Sequence, residues 1–377
     1  MPFLPDAESY KRLADGTDRR VRAMLLRTAL EPLGGAWAAA MMVRNAAYDL
    51  GFFASHRAPV PVVCIGNLTL GGTGKTPLVA WVARRLAAAG HHPAIVSRGY
   101  AAAAGQRSDE AAELAIVLPG IPHVADRDRV AGARAAAAAG ADAVILDDGF
   151  QHRRLARDLD LVAIDATDPF GCGRVFPRGL LRERLSGLAR ADAVILTRAS
   201  SVPGRRRAEI RAQLATACGG KLPSVWAEAS HSPISIRSGD GAVHPLEWLA
   251  GRRVAAFAGI GNPAAFRQTL EAINGDIVAF RPYVDHHAYS AADHADLIGW
   301  AGSHGADTLV TTLKDLVKLA SLSCRGGDPA VPLPLVAVEI ALVIESGADE
   351  LGRLVDGIAG PPGSRSARPS DSGGETR

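Results

Sequence analysis

The stretch Ile65-Gly66-Asn67-Leu68-Thr69-Leu70-Gly71-Gly72-Thr73-Gly74-Lys75-Thr76-Pro77 joins an apolar run to an amphipathic one through a glycine-rich loop that closes on Gly-Lys-Thr. In a loop of this kind the backbone N–H groups and the positive end of the following helix converge on phosphate oxygens. The Lys neutralises the β and γ phosphates, and the Thr hydroxyl ligates Mg²⁺. The reading is strand, phosphate loop, helix, with Gly71, Gly72, Thr73, Gly74, Lys75 and Thr76 as the expected nucleotide-contacting residues. Upstream, residues 61–65 are apolar and partly β-branched. Downstream, Leu78, Val79, Val82 and Leu86 recur at helical spacing, and Gly90 stands where a helix C′ residue belongs. Pro77 near the helix start removes an N–H that has no intrahelical partner. The usual pattern places a Gly where this chain has Thr69; Gly66, Gly71 and Gly72 supply the loop's freedom instead. A glycine-rich turn that holds no ligand is the alternative, and the strand and helix on either side argue against it.

Beyond the loop, apolar runs at 94–96, 143–146, 159–164 and 193–196 alternate with Ala-rich helical stretches. Strands alternating with helices predict an α/β fold: a P-loop NTPase-like parallel sheet with helices on both faces. Polar and reactive residues follow the strands, as Ser97-Arg98, Asp147-Asp148, Asp165 and Thr197-Arg198. Ligands bind at that edge of such sheets. A second α/β unit starts near residue 252, with strands expected at 254–258, 277–280, 308–311 and 334–338. The expected division is therefore an N-terminal basic and apolar helical segment at 1–55, a P-loop domain at 56–245, a smaller C-terminal α/β domain at 250–358, and a disordered tail at 360–377.

The chain has 377 residues, 48% hydrophobic and 21% charged, which is ordinary globular composition with room for two cores. A net charge of +3 is too small to argue for a nucleic-acid partner. Cys64, Cys172, Cys218 and Cys324 include no Cys-x-x-Cys pair, so neither a zinc site nor a disulfide framework is expected and a reducing compartment is the default. No secretory signal is read at the start. Residues 19–53 stand apart: Arg19, Arg20, Arg22, Arg27 and Arg44 are set among Met24, Leu25, Leu26, Leu30, Leu33, Trp37, Met41, Met42, Val43, Phe52 and Phe53. The longest uncharged run, 32–43, is shorter than the ~18 residues a spanning helix needs. Two readings stay open, an interfacial helix on a bilayer surface and an amphipathic helix packed on the domain.

Asp147-Asp148, directly after Ala143-Val144-Ile145-Leu146, places carboxylates at a strand end, where a nucleoside triphosphatase needs one beside Mg²⁺. With Gly149-Phe150-Gln151-His152, Ser97-Arg98-Gly99-Tyr100 and Pro177-Arg178-Gly179-Leu180-Leu181-Arg182-Glu183, the order of motifs resembles the tetraacyldisaccharide 4'-kinase family. The resemblance continues through Ala258-Gly259-Ile260-Gly261-Asn262-Pro263, Asp285-His286-His287 and Thr312-Leu313-Lys314-Asp315, and so covers most of residues 20–355. It implies a two-domain kinase peripheral to the cytoplasmic face of the inner membrane. Such an enzyme uses ATP and Mg²⁺ to phosphorylate the 4'-hydroxyl of an acylated glucosamine disaccharide 1-phosphate; no protein partner is inferred. Carried over by position, Lys75 holds the β and γ phosphates, and Thr76, Asp148, Gln151 and Glu183 arrange Mg²⁺ with Asp147 beside them. Asp109 is the catalytic base, standing in Ser108-Asp109-Glu110 where the family has Gly-Asp-Glu, and His286 assists it from the second domain. Asp126 and Asp128 are the nearest rival acids. Gly259-Ile260-Gly261-Asn262-Pro263-Ala264 reads as a tight strand-to-helix turn. Two rival functions share the phosphate loop: a ligase that activates a carboxylate with ATP, and a nucleotide switch.

Overall fold

A computed structural model describes residues 7–99, 109–273, 275–285, 287–323 and 333–358, with backbone alone for 7, 8, 109, 110 and 320–323. The expected tail at 360–377 lies outside the described residues. Two helices come first, α1 (Ala7–Asp15) and α2 (Val21–Asp49). Strand β1 (Val62–Asn67) is buried along its whole length and feeds the phosphate loop and α3 (Lys75–Ala88). The chain continues through β2 (Pro93–Ser97), α4 (Asp109–Val117), β3 (His123–Ala125), α5 (Arg129–Ala138), β4 (Ala143–Asp147), β5 (Leu159–Asp165), β6 (Ala193–Thr197) and α6 (Gly204–Ala217). A long strand β7 (Val225–Ser238) and a short β8 (Val243–His244) lead to β9 (Arg253–Ala258), α7 (Pro263–Ala272), β10 (Asp276–Pro282), α8 (Ala291–Ser303), β11 (Thr308–Thr312) and α9 (Leu313–Ser323). A second long strand, β12 (Leu335–Ser346), and α10 (Ala348–Asp356) close the described chain.

The strands form a single twelve-stranded sheet in the order β10-β9-β11-β12-β7-β6-β5-β1-β4-β2-β3, with β8 beside β7. Every pairing is parallel except β12 with β7 and β7 with β8. From β1 the chain runs outward to β2 and β3, returns to β4 beside β1, and then crosses to β5 on β1's other flank. That reversal opens a crevice at the carboxyl end of β1, where ligands enter such sheets.

Alternation along the strands builds a core on each face. Val63 and Ile65 pack with Ile145, Leu161 and Ile195 against Leu78, Val82 and Leu86 of α3. Val62 and Cys64 face the other way, onto Val130, Ala133 and Ala136 of α5. In the far half of the sheet, Val254, Ala256 and Val310 pack on Phe266 and Leu270 of α7, and Ala255 and Phe257 pack on Leu297 and Ala301 of α8.

The two halves are joined by the antiparallel ribbon of β7 and β12. Residues Val225 to Glu228 of β7 pair with β6, and Glu228 to Ser238 pair with β12. The first residues of β12 pair in turn with β11. The chain then comes back, for Leu342 of β12 and Leu351 and Val355 of α10 lie in the same core as β1 and α3. Residues within the expected 250–358 unit thus complete the core of the nucleotide half.

Helix α2 is a continuous 29-residue helix that accommodates Pro32. Its small residues Ala23, Gly34 and Ala38 are buried. A Cβ on Gly34 would stand 3.0 Å from the Cβ of Arg178, so glycine lets the helix lie close on the 175–178 segment. Its opposite side is also apolar, with Leu25 67% and Val43 70% exposed, and Phe52 just beyond the helix is 79% exposed. No helix among the described residues is long and apolar enough to cross a membrane.

Candidate active site

Parallel register carries the strand ends to one edge: Ile65 pairs with Asp147, Asn67 with Ala163, and Asp165 with Thr197. The loop after β1 is held close by glycine. A Cβ on Gly66 would approach the Cβ of Phe150 to 2.5 Å, so only glycine lets the Asp-Asp-Gly-Phe turn pack on β1. Gly74, the residue before α3, has φ 78°, and the imidazole of His231 fills the space where its side chain would stand, 2.7 Å away. The outgoing loop is stitched to the 180–182 segment, with Leu70 N–H donating to the Leu180 carbonyl (2.6 Å) and Arg182 N–H to the Leu68 carbonyl (2.7 Å).

These elements bring Lys75, Thr76, Asp147, Asp148, Gln151 and Glu183 to one edge, and a polar chain links four of them. Lys75 Nζ lies 3.4 Å from Asp148 Oδ1. Arg182 Nη1 donates to both Asp148 oxygens at 2.9 Å and to Gln151 Oε1 at 3.4 Å. Gln151 Nε2 donates to the Asn67 carbonyl (2.9 Å) and to Glu183 Oε1 (3.1 Å). Asp148 adopts φ 53°, a left-handed backbone that a short acidic residue tolerates better than most. Burial pushes its carboxyl pKa up, but Lys75 and Arg182 outweigh burial and the net shift is downward, so it is anionic. Asp147 is itself buried at the end of β4. The Asn67 Oδ1 and Thr73 Oγ1 atoms beside them are buried and find no protein partner among the described residues.

The donor set is hard oxygen, from the Thr76 hydroxyl and the Asp147 and Asp148 carboxylates. Mg²⁺ commonly takes one or two carboxylates and completes its shell with phosphate oxygens and water. Asn67 Oδ1, buried at the end of β1 with no protein partner among the described residues, is a further oxygen of the same kind at that edge. Glu183 is placed otherwise. Its Oε1 accepts from Gln151 and from Arg190 Nη2 (2.8 Å), and its Oε2 accepts from Asn45 Nδ2 (2.8 Å) and Arg190 Nη2 (2.9 Å). At 2% exposure it is a buried hub for protein donors rather than an open ligand. Gln151 is likewise engaged with protein at both ends of its amide.

Of the predicted base, the structure describes only the backbone: Asp109 opens α4, and its side chain lies outside the described residues, as does His286 entirely. The rival acids have other work. Asp128 caps α5, accepting from Val130 N–H (3.0 Å) and Ala131 N–H (3.4 Å), and it pairs with Arg154 (3.0 Å). Asp126 Oδ1 accepts from Asp128 N–H at 2.8 Å. Neighbouring His286, Asp285 pairs with Lys314 at 3.0 Å.

One group escaped sequence reading. Arg129, in the first turn of α5, is buried, and its Nε has no partner. Burial, then Arg98, lowers its pKa, while Asp148, Asp147 and Asp126 oppose the shift. A buried guanidinium facing the carboxylate edge is a ready anion contact. Its only advance signal was an Arg one residue after a helix-capping Asp. Asp165, Thr197 and Arg198, which the sequence marks only as polar residues at strand ends, lie behind the phosphate loop, and their contacts are taken up below.

A parallel sheet reversing at β1, with a Gly-Lys-Thr loop at the reversal and two carboxylates on the adjacent strand end, defines a P-loop nucleotide-dependent enzyme. The family model described as tetraacyldisaccharide-1-P 4'-kinase (LpxK) matches residues 26–356, and the chain belongs to that kinase family. A tetraacyldisaccharide 4'-kinase of Anaeromyxobacter dehalogenans strain 2CP-C is 42% identical over 334 residues, covering 83% of this chain and 85% of its own. The enzyme of that name from Syntrophus aciditrophicus is 39% identical over 324 residues, covering 80% of this chain and 85% of its own. Among solved structures, LpxK of Aquifex aeolicus, described in its "apo" form in complex with ATP, is similar with a TM-score of 0.69 and 28% identity, covering 88% of this chain and 99% of its own. The carboxylate ligase and the nucleotide switch are thereby set aside.

Proposed function

We propose that this kinase transfers the γ-phosphoryl group of ATP to the 4'-hydroxyl of an acylated glucosamine disaccharide 1-phosphate, working peripherally at the cytoplasmic face of the inner membrane. The observation that supports the membrane part is that α2 serves both surfaces. Its outward side exposes Val21, Met24, Leu25, Leu33 and Val43. Its inward side is hydrogen-bonded to the site: Trp37 Nε1 to the Arg182 carbonyl (3.0 Å), Arg44 Nη2 to the Gln151 carbonyl (2.6 Å) and Asn45 to Glu183. An apolar helix bolted to a phosphate site suits a substrate that is half lipid.

Lys75 and the loop N–H groups bind the transferred phosphate, and Thr76, Asp147 and Asp148 would hold Mg²⁺. When bound, Mg²⁺ neutralises charge on the β and γ phosphates. Arg182 and Gln151 fix the Asp148 turn. Asp109 takes the proton of the sugar hydroxyl with help from His286, and Arg129 offers its buried charge to an anionic group of either substrate. The part of the 250–358 unit from β9 to α9, which stays outside the nucleotide core, closes over the nucleotide about the β7 and β12 ribbon, which would exclude water from the transfer.

The test is transfer of labelled phosphate from ATP to a tetraacyldisaccharide 1-phosphate in mixed micelles. Acceptor-dependent appearance of a 1,4'-bisphosphate is expected. ATP consumption that ignores the acceptor would refute the proposal.

A further inference from the structure

A loop that turns its N–H groups toward an anion turns its carbonyls outward, and those carbonyls need donors of their own. In this protein the donors come from the end of β6. The Thr197 hydroxyl, fully buried, donates to the Thr73 carbonyl at 2.8 Å, with the Ile164 carbonyl at 3.2 Å as its other acceptor. Arg198 Nη1 donates to the Gly72 carbonyl at 3.1 Å. Arg198 is itself aimed by an ion pair with Asp165 at the end of β5, and Asp165 is fixed by the Thr167 N–H (2.9 Å) and hydroxyl (2.7 Å). Arg198 adopts φ 53°, a left-handed backbone without glycine's freedom, which the structure supports only by such contacts. His231 of β7 closes the third side against Gly74.

We propose that Asp165, Thr197 and Arg198 form a brace behind the phosphate loop that holds the Gly72 and Thr73 carbonyls outward, so that the N–H groups are preorganised for the nucleotide's phosphates. Acting through the loop carbonyls, they are positioning residues. The inference rests on the nucleotide reading of the loop. It adds that affinity for phosphate is set from strands β5 and β6, outside the Gly-Lys-Thr motif.

The experiment measures binding of a non-hydrolysable ATP analogue and of adenosine by calorimetry, with KM and kcat, for Arg198→Met, Arg198→Lys, Thr197→Val, Thr197→Ser and Lys75→Met. Losing a charged donor to a carbonyl is expected to weaken the ATP analogue about tenfold to a hundredfold. Adenosine binding and KM for the glycolipid should stay unchanged. Arg198→Lys and Thr197→Ser should recover part of the affinity, because each keeps a donor. A merely structural role would not separate ATP from adenosine. Wild-type affinity for the ATP analogue in folded Arg198→Met and Thr197→Val overturns the brace. If Arg198→Met fails to fold, the comparison of Thr197→Val with Thr197→Ser decides alone. If Lys75→Met also binds the analogue normally, the phosphate-site reading has failed, and the brace with it.

Discussion

Lys75 and Asp148 lie 3.4 Å apart, so each stabilises the other's charge before any phosphate arrives. Replacing Lys75 with Ala should lower kcat by about 10²–10³, because a preorganised charge on the transferring group is lost. Thermal unfolding should show an intact fold; near-normal turnover in that variant would contradict the assignment. Among the acids, Asp109→Ala should lower kcat by about 10²–10⁴, the usual worth of a general base. Asp128→Ala should instead lower Tm and leave kcat close to wild type, since Asp128 caps α5. A severe kcat loss in Asp128→Ala with a silent Asp109→Ala would move the base. Two histidines predict a pH effect. Burial, then the field of Arg198, lowers His231 from 6.5 to about 4, and burial, then Arg129, does the same to His152. A folded pKa below the unfolded one gives stability that is present above pH 6.5 and lost as pH falls toward 4. Tm should therefore drop less steeply over that window in His231→Gln than in wild type, and parallel profiles would count against the buried neutral ring.

At the scale of elements, the proposed membrane contact rests on the exposed apolar side of α2. Leu25, Val43 and Phe52 point to solvent, whereas Arg27 donates to the Asp18 carbonyl (2.7 Å) and holds the α1 to α2 turn. The informative variant is thus Leu25→Ser with Val43→Ser and Phe52→Ser, which removes apolar area without touching the turn. Its sedimentation with anionic vesicles should fall well below wild type while transfer to a detergent-dispersed acceptor persists; equal sedimentation would leave α2 a structural helix. Legibility also divides at this scale. The β1, loop and α3 unit was readable because its hydrophobic period, loop chemistry and helix start are all local. Strands at 94–96, 143–146, 159–164 and 193–196 were found within a residue or so, since buried parallel strands are plain apolar runs. β7 was missed because Ser230, Ser232, Pro233 and Ser235 interrupt it, and its order comes from pairing with β12 more than a hundred residues later. The Asp165, Thr197 and Arg198 contacts were invisible for the same reason: each residue was noted at a strand end, but what it touches is fixed by sheet register.

Across the whole molecule, the chain does not finish one half before beginning the other. Leu351 and Val355 of α10 are fully buried against the core of β1 and α3, and Arg85 of α3 pairs with Asp356 at 2.6 Å. Leu351→Ala should cost about 2–5 kcal/mol. If the 56–245 segment were self-sufficient, that loss would spare nucleotide binding; the packing predicts instead that Tm and nucleotide affinity fall together, which denaturation with and without ATP will measure. The returning helix also bears on biosynthesis. A ribosome releases the phosphate loop hundreds of residues before it releases α10, so the nascent nucleotide half waits with one flank of α3 uncovered. Folding of that half is then timed by the arrival of the last helix, and a message cut short before it should leave a product that chaperones hold and proteases clear, rather than a stray ATP-binding fragment.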